Sequence, residues 1–159
     1  MPDEMVVYWD SDLFISRIQR TEHRIAVLEQ ITKAAERGEV RIVTSIFAKA
    51  ETAYLKHPTL LPEEQEARII SFFENPYITV VPFDDFVCDK TRHLVRQFRE
   101  ARLPPSDAIH VATAIVRRVP LLQAYNSHLL NLDGKIPGLR IQKPTYAGDI
   151  PLPLETDDE

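Results

Sequence analysis

A chain of 159 residues, 44% hydrophobic and 27% charged, has the size and balance of one globular domain with a sizeable core. Its net charge of −5 argues against a protein that coats nucleic acid through bulk basicity, and its single cysteine, Cys88, excludes an internal disulfide and a cysteine-rich zinc site. No apolar run approaches the roughly 18–20 residues that span a bilayer, and the N-terminus carries acids where a signal peptide carries bases, so no membrane partner and a cytoplasmic location are expected.

Residues 5–9 (MVVYW) form an unbroken apolar run suited to a central strand buried on both faces. The run ends on Asp10, with Asp12 two residues on. In open α/β sheets ligands sit outside the carboxyl ends of the strands, so a carboxylate here marks a candidate site. Residues 13–19 read as a short helix. Thr21 is placed to cap a second helix from Glu22, with Ile25, Leu28, Ile31 and Ala35 as its buried stripe and Gly38 as its end. Residues 40–44 (VRIVT) read as a second strand, and Ser45 as the N-cap of a helix running to about Lys56. Pro62, followed by Glu63 and Glu64, starts the next helix, whose core stripe is Ile69, Ile70 and Phe73 and whose stop is Asn75-Pro76.

A third strand is expected over residues 77–81. Asp84 or Asp85 then caps a long helix to about Arg102, with Val87, Leu94, Phe98 and Ala101 on one face and Arg92, Arg96 and Arg99 on the other. Pro104-Pro105 breaks it, and Ser106 caps a helix over 107–118 that is apolar nearly all round, hence central. Residues 121–125 and 139–142 read as fourth and fifth strands. Residues 1–143 thus form one domain, followed by an extended, proline-containing acidic tail over 144–159. Strands alternating with helices imply an α/β fold with a mostly parallel sheet and helices on both faces. Cys88 is expected to be a packing residue.

Three acids stand out by position. Asp10 ends the first strand, Glu51 lies two turns into the helix after the second, and Asp107 opens the most apolar helix, where the helix dipole favours negative charge. Glu51 has Phe47, Ala48, Tyr54 and Leu55 one turn away, so its side chain is expected to point toward the body of the protein. Each acid also has a structural reading: Asp10 as a helix N-cap, Glu51 as a partner of Arg17 or Lys49, Asp107 as a first-turn acid. Converging oxygen ligands without cysteine favour a hard cation, Mg²⁺ or Mn²⁺. The acidic balance does not preclude a basic surface. With the four tail acids (Glu155, Asp157, Asp158, Glu159) and Asp10, Asp12, Glu51 and Asp107 set aside, 16 of the 24 acids face 19 Lys and Arg.

The segments VVYWDSDLF with Asp10, TSIFAKAETAYL with Glu51 and PPSDAIHVATAI with Asp107 resemble, in that order, the PIN domain nucleases, including the VapC-type toxins of toxin–antitoxin pairs. The resemblance runs over residues 6–132. It implies a three-layer α/β/α sandwich, Mg²⁺ or Mn²⁺ held by Asp10, Glu51 and Asp107, hydrolysis of RNA phosphodiesters, and an antitoxin protein as partner. Members often carry a fourth acid after the fourth strand; here the position is Asn126, which has a neutral oxygen and is expected to orient a water or the phosphate. The catalytic set is therefore Asp10, Glu51, Asp107 and Asn126, with Asp12 outside it as support. Arg92, Arg96 and Arg99 are either a solvated helix face or a hold on the substrate backbone. His57, His110 and His128 lack metal-ligand spacing and read as structural. Helices 13–19 and 63–74 carry apolar residues suited to an antitoxin or homodimer interface. Two rivals remain: a HAD-type phosphatase built on Asp10-Ser11-Asp12, residues 41–45 and Asp84-Asp85, and a non-catalytic module binding RNA or a protein partner.

Overall fold

The structure, a computed structural model, describes residues 4–54 and 61–145. Among these residues five strands form one sheet in the order β3-β2-β1-β4-β5: β1 Met5–Trp9, β2 Val40–Ser45, β3 Ile78–Val81, β4 Leu121–Gln123 and β5 Arg140–Gln142. Every pairing is parallel, and β1 lies in the middle, with Tyr8 opposite both Val43 and Leu122. The chain moves outward from β1 through β2 to β3, then crosses back to lay β4 on the other side of β1. The strand order therefore reverses between β1 and β4, which makes their carboxyl ends the topological switch point where such sheets bind ligands.

Alternation along β1 divides the core into two layers. Tyr8 joins one cluster with Val87 and Leu94 of α5 (Asp85–Gln97), Ala108 and Val111 of α6 (Pro105–Val116) and Leu129 of α7 (Ser127–Leu130). Val7 and Trp9 join the other, with Leu13 and Phe14 of α1 (Ser11–Gln19), Leu28 and Ile31 of α2 (Ile25–Glu36), and Ile69 and Phe73 of α4 (Glu63–Phe73). The result is the expected three-layer α/β/α sandwich. Tyr8 and Trp9 are both wholly buried, and burial of such side chains contributes roughly 1.5–3 kcal/mol apiece.

Several boundaries differ from the sequence reading, for local reasons. α2 begins at Ile25 rather than Glu22, because Arg20 (φ 54) and His23 (φ 67) turn the chain twice before it. Thr21 contributes its carbonyl, not its side chain, accepting from the backbone N–H of Ile25. α3 (Ile46–Glu51) starts as expected on Ser45, whose Oγ accepts from Phe47 N–H at 3.0 Å, and tightens into a 3₁₀ turn at Thr52–Tyr54. The expected end near Lys56, like His57 and the tail from residue 146 on, lies outside the described residues. α5 stops at Gln97 instead of near Arg102, and the connection that follows holds Arg102 at φ 55. Pro105 does not break a helix; it occupies the first turn of α6, where its missing N–H costs nothing and its φ is already helical. Pro104, not Ser106, is therefore the N-cap, and Asp107 sits in the first turn. α7 was not expected from the sequence. Among the described residues no helix is long and apolar enough to cross a membrane.

Candidate active site

Asp10 follows β1 directly and caps α1, its Oδ1 accepting from Leu13 N–H at 3.3 Å. The N-cap reading is thus correct, but it uses only one lone pair of a carboxylate that is 4% exposed. Burial pushes its pKa up to about 7, opposed by His110 and reinforced by the neighbouring charges of Asp12 and Asp107. No Lys or Arg pairs with Asp10 among the described residues. Asp107, half-buried on α6, also has its pKa raised by burial; a hydrogen bond from Asn126 and the proximity of His110 and His128 oppose this, while Glu51 adds to it. Asp10, Asp107 and Glu51 therefore share one electrostatic neighbourhood, although they come from three separate elements.

Glu51 ends α3. Its partner is neither Arg17 nor Lys49: its Oε1 lies 2.6 Å from Nε2 of His110, a side chain 3% exposed. The other ring nitrogen, Nδ1, lies 2.7 Å from the Tyr8 hydroxyl. The hydroxyl oxygen in turn accepts from Ser45 N–H at 3.2 Å. The consistent assignment has Tyr8 O–H donating to Nδ1, leaving Nε2–H to donate to Glu51. Burial raises the Tyr8 pKa, which keeps the phenol protonated as this donor. The chain Ser45–Tyr8–His110–Glu51 links β2, β1, α6 and α3. The sequence reading left His110 out of the site. The signal was available: His110 stands three residues after Asp107 and so on the same face of α6.

Asn126 caps α7 with its oxygen, Oδ1 accepting from His128 N–H at 2.8 Å, and turns its amide N–H toward Asp107 Oδ2 at 3.2 Å. The oxygen that the sequence reading offered to the site is occupied by the cap, so Asn126 faces the acids as a donor. Asp12 lies at the rim, 44% exposed, paired with Arg24 at 3.0 Å. The Arg24 guanidinium also donates to Ser16 and lies 3.9 Å over the Tyr125 ring. Asp12 is thus tied to a surface arginine rather than presented beside Asp10 as an acid–base pair.

Among the described residues no three His, Cys, Asp or Glu side chains stand at metal-holding distance as placed. The donor chemistry nonetheless fits a hard cation. A buried carboxylate without a counter-ion is costly, and a divalent ion is one of the few partners that relieves it.

Fold and site together define an α/β/α domain that carries a cluster of acids at its topological switch point. The chain belongs to the PIN domain family, whose model matches residues 7–135. Its fold is that of a VapBC2 structure from Rickettsia felis bound to promoter DNA (15% identity, TM-score 0.66, covering 87% of this chain and 98% of that one). It is equally that of DNA-bound VapBC from Salmonella typhimurium (20% identity, TM-score 0.63, covering 89% and 99%). VapC20 of Mycobacterium tuberculosis, described as a sarcin-ricin loop cleaving toxin, is also similar (10% identity, TM-score 0.61, covering 76% and 89%). No curated protein sequence matches. Family membership removes the ground for the phosphatase reading, which Asp12's contact with Arg24 had already weakened.

Proposed function

We propose that this protein is a divalent-metal-dependent endoribonuclease, acting as the toxin of a toxin–antitoxin pair. The observation that carries this is Asp10: a buried carboxylate with no Lys or Arg partner among the described residues, at the switch point of a PIN domain, with Asp107 and Glu51 in the same electrostatic neighbourhood. Asp10, Glu51 and Asp107 would hold Mg²⁺ or Mn²⁺. Bound there, the ion supplies a Lewis acid for the scissile phosphate and lowers the pKa of a coordinated water. The chain's own part is orientation. His110 aims Glu51, Asn126 steadies Asp107 through one N–H, and the cap on Leu13 N–H fixes one oxygen of Asp10. A further similar structure, from Klebsiella pneumoniae (20% identity, TM-score 0.59), is a toxin–antitoxin complex. By analogy, a small antitoxin protein is the expected partner, with the exposed parts of α1 and α4, the surfaces also available to a homodimer, as its seat.

One observation favours a second reading. Asn126 adds no charge where family members often have an acid, and a member weakened in metal binding would bind RNA or a partner without cutting it. The two readings separate on one experiment. Single-stranded RNA is incubated with the purified protein, with and without Mn²⁺, beside an Asp107→Asn variant. Cleavage should require the ion and fall by about 100-fold or more in the variant. Equal cleavage by the variant would overturn the proposed site; RNA binding without any cleavage would favour the module.

A further inference from the structure

Two sets of arginines contrast, besides Arg17, Arg68 and Arg118, which stand apart elsewhere in the fold. Arg20, Arg24, Arg37, Arg41, Arg117 and Arg140 each pair with an acid. Arg92, Arg96, Arg99 and Arg102 are exposed and have no acid partner among the described residues, although Asp89 and Glu100 stand in the same stretch. These four occupy the later part of α5 and its connection to α6. The opposite face of α5 is the buried one, through Val87, Thr91 and Leu94. Arg92 and Arg96 lie one turn apart on α5, where like charges repel at about 0.2–0.5 kcal/mol a pair, a cost to the isolated chain.

The surface between these side chains is hollowed. One open depression is lined by Arg92, His93 and Arg96 with Asp89, and a second by Arg96, Arg99 and Lys135 with Glu100, so in each the basic side chains outnumber the single acid; both include Gln97. They share Arg96 and Gln97 and so adjoin each other along the surface. Its direction follows from the helix hairpin. Arg117, just past the end of α6, reaches the Asp84 cap of α5 at 3.3 Å, so the two helices run antiparallel. The arginine-bearing end of α5 therefore lies beside the start of α6, where Asp107 stands. Arg102 is five residues from Asp107, a chain distance of at most about 17 Å.

We propose that this surface, running from Arg92 through Arg96 to Arg99 and Lys135, with Arg102 beyond it on the way to Asp107, is the track along which the phosphate backbone of a single-stranded RNA runs to the acids. Guanidinium groups suit this role, since their planar forks match phosphate oxygens and stay charged at any physiological pH. A row of them reads charge rather than sequence, so the track supplies affinity and register. The proposal rests on the nuclease reading for the nature of the strand, but it can be tested apart from it.

The test uses the full chain carrying Asp107→Asn, so that RNA is not cut, and a short fluorescent single-stranded RNA of mixed sequence. Anisotropy is read across a salt series. Arg96→Glu with Arg99→Glu should weaken binding at least 10-fold at low salt, and two lost phosphate contacts should make the slope of log K against log salt shallower by about 1.4. Arg96→Lys with Arg99→Lys should keep most of the slope. Arg68→Glu with Arg118→Glu, exposed arginines elsewhere in the fold, should change neither quantity. In the cutting protein the Glu pair should raise KM and leave kcat near its original value. Unchanged affinity and slope in the Glu pair, or an equal loss in the Arg68/Arg118 control, would overturn the track. So would loss of binding to a protein partner with RNA binding intact, which would make the row a protein interface. A wild-type protein that binds RNA through this row without cutting it would sink the nuclease reading and leave the track standing.

Discussion

Asp10 concentrates the conflict in this protein: a charged group placed where the fold excludes water. With its pKa raised from the ordinary carboxylate value of 3.8 to about 7, the folded chain holds a proton that the unfolded chain releases over that range. Proton uptake by the folded state stabilises it at low pH, and the stabilisation is lost as pH rises through about 7. The loss amounts to a few kcal/mol, on the order of 4. A divalent ion reverses the trend by favouring the carboxylate. Thermal melts of the metal-free protein should therefore give a Tm that falls between about pH 5 and 7.5, while added Mn²⁺ should raise Tm more at the higher pH. Asp10→Asn should flatten both responses. A metal-free Tm that rises over this range would show that the Asp10 carboxyl is not buried as described.

Among the elements, the α5–α6 hairpin does two separate jobs on two faces. Val87, Thr91 and Leu94 face the core, and the arginine row faces outward. Asp84 holds the hairpin at one end, accepting from Val87 N–H at 3.0 Å with one oxygen and from Arg117 with the other. Leu94 is 1% exposed, so Leu94→Ala should cost about 2–5 kcal/mol, measured by urea unfolding. Because the cavity opens on the face away from the arginines, the folded variant should bind RNA as the parent does. An affinity loss at full folding would mean that the two faces are coupled. His110 shows the same economy at the start of α6. One side chain packs inside, meets Tyr8 and Glu51, and joins three elements that the sequence keeps far apart.

At the scale of the whole molecule, β1 is the shared wall of both core layers. Tyr8 packs into one, and Val7 and Trp9 into the other. Neither layer can open without exposing this strand, so the described domain should unfold as one cooperative unit. Leu94→Ala on one side and Leu28→Ala on the other should each shift the same single calorimetric transition. Two resolved transitions would contradict a shared core. The same strand order puts the site at the one edge where β1 and β4 diverge, and Asp10, after β1, and Asn126, after β4, flank that point.

Sequence alone determined the class of fold and singled out the candidate acids. Hydrophobic period and turn residues are local properties, and both are visible in the MVVYW run, the Ser45 cap, and Pro62 followed by the acids Glu63 and Glu64. Helix ends were less legible, because Arg20, His23 and Arg102 adopt left-handed backbone that no residue type there announces. Contacts between distant elements were decided only by the tertiary structure. That His110 holds Glu51, that Asn126 offers a donor instead of an oxygen, that Asp12 belongs to Arg24, and that α7 forms on the Asn126 cap all depend on which segments the parallel sheet brings side by side. The strand order sets those neighbours, and strand order is a property of the packed chain rather than of any stretch within it.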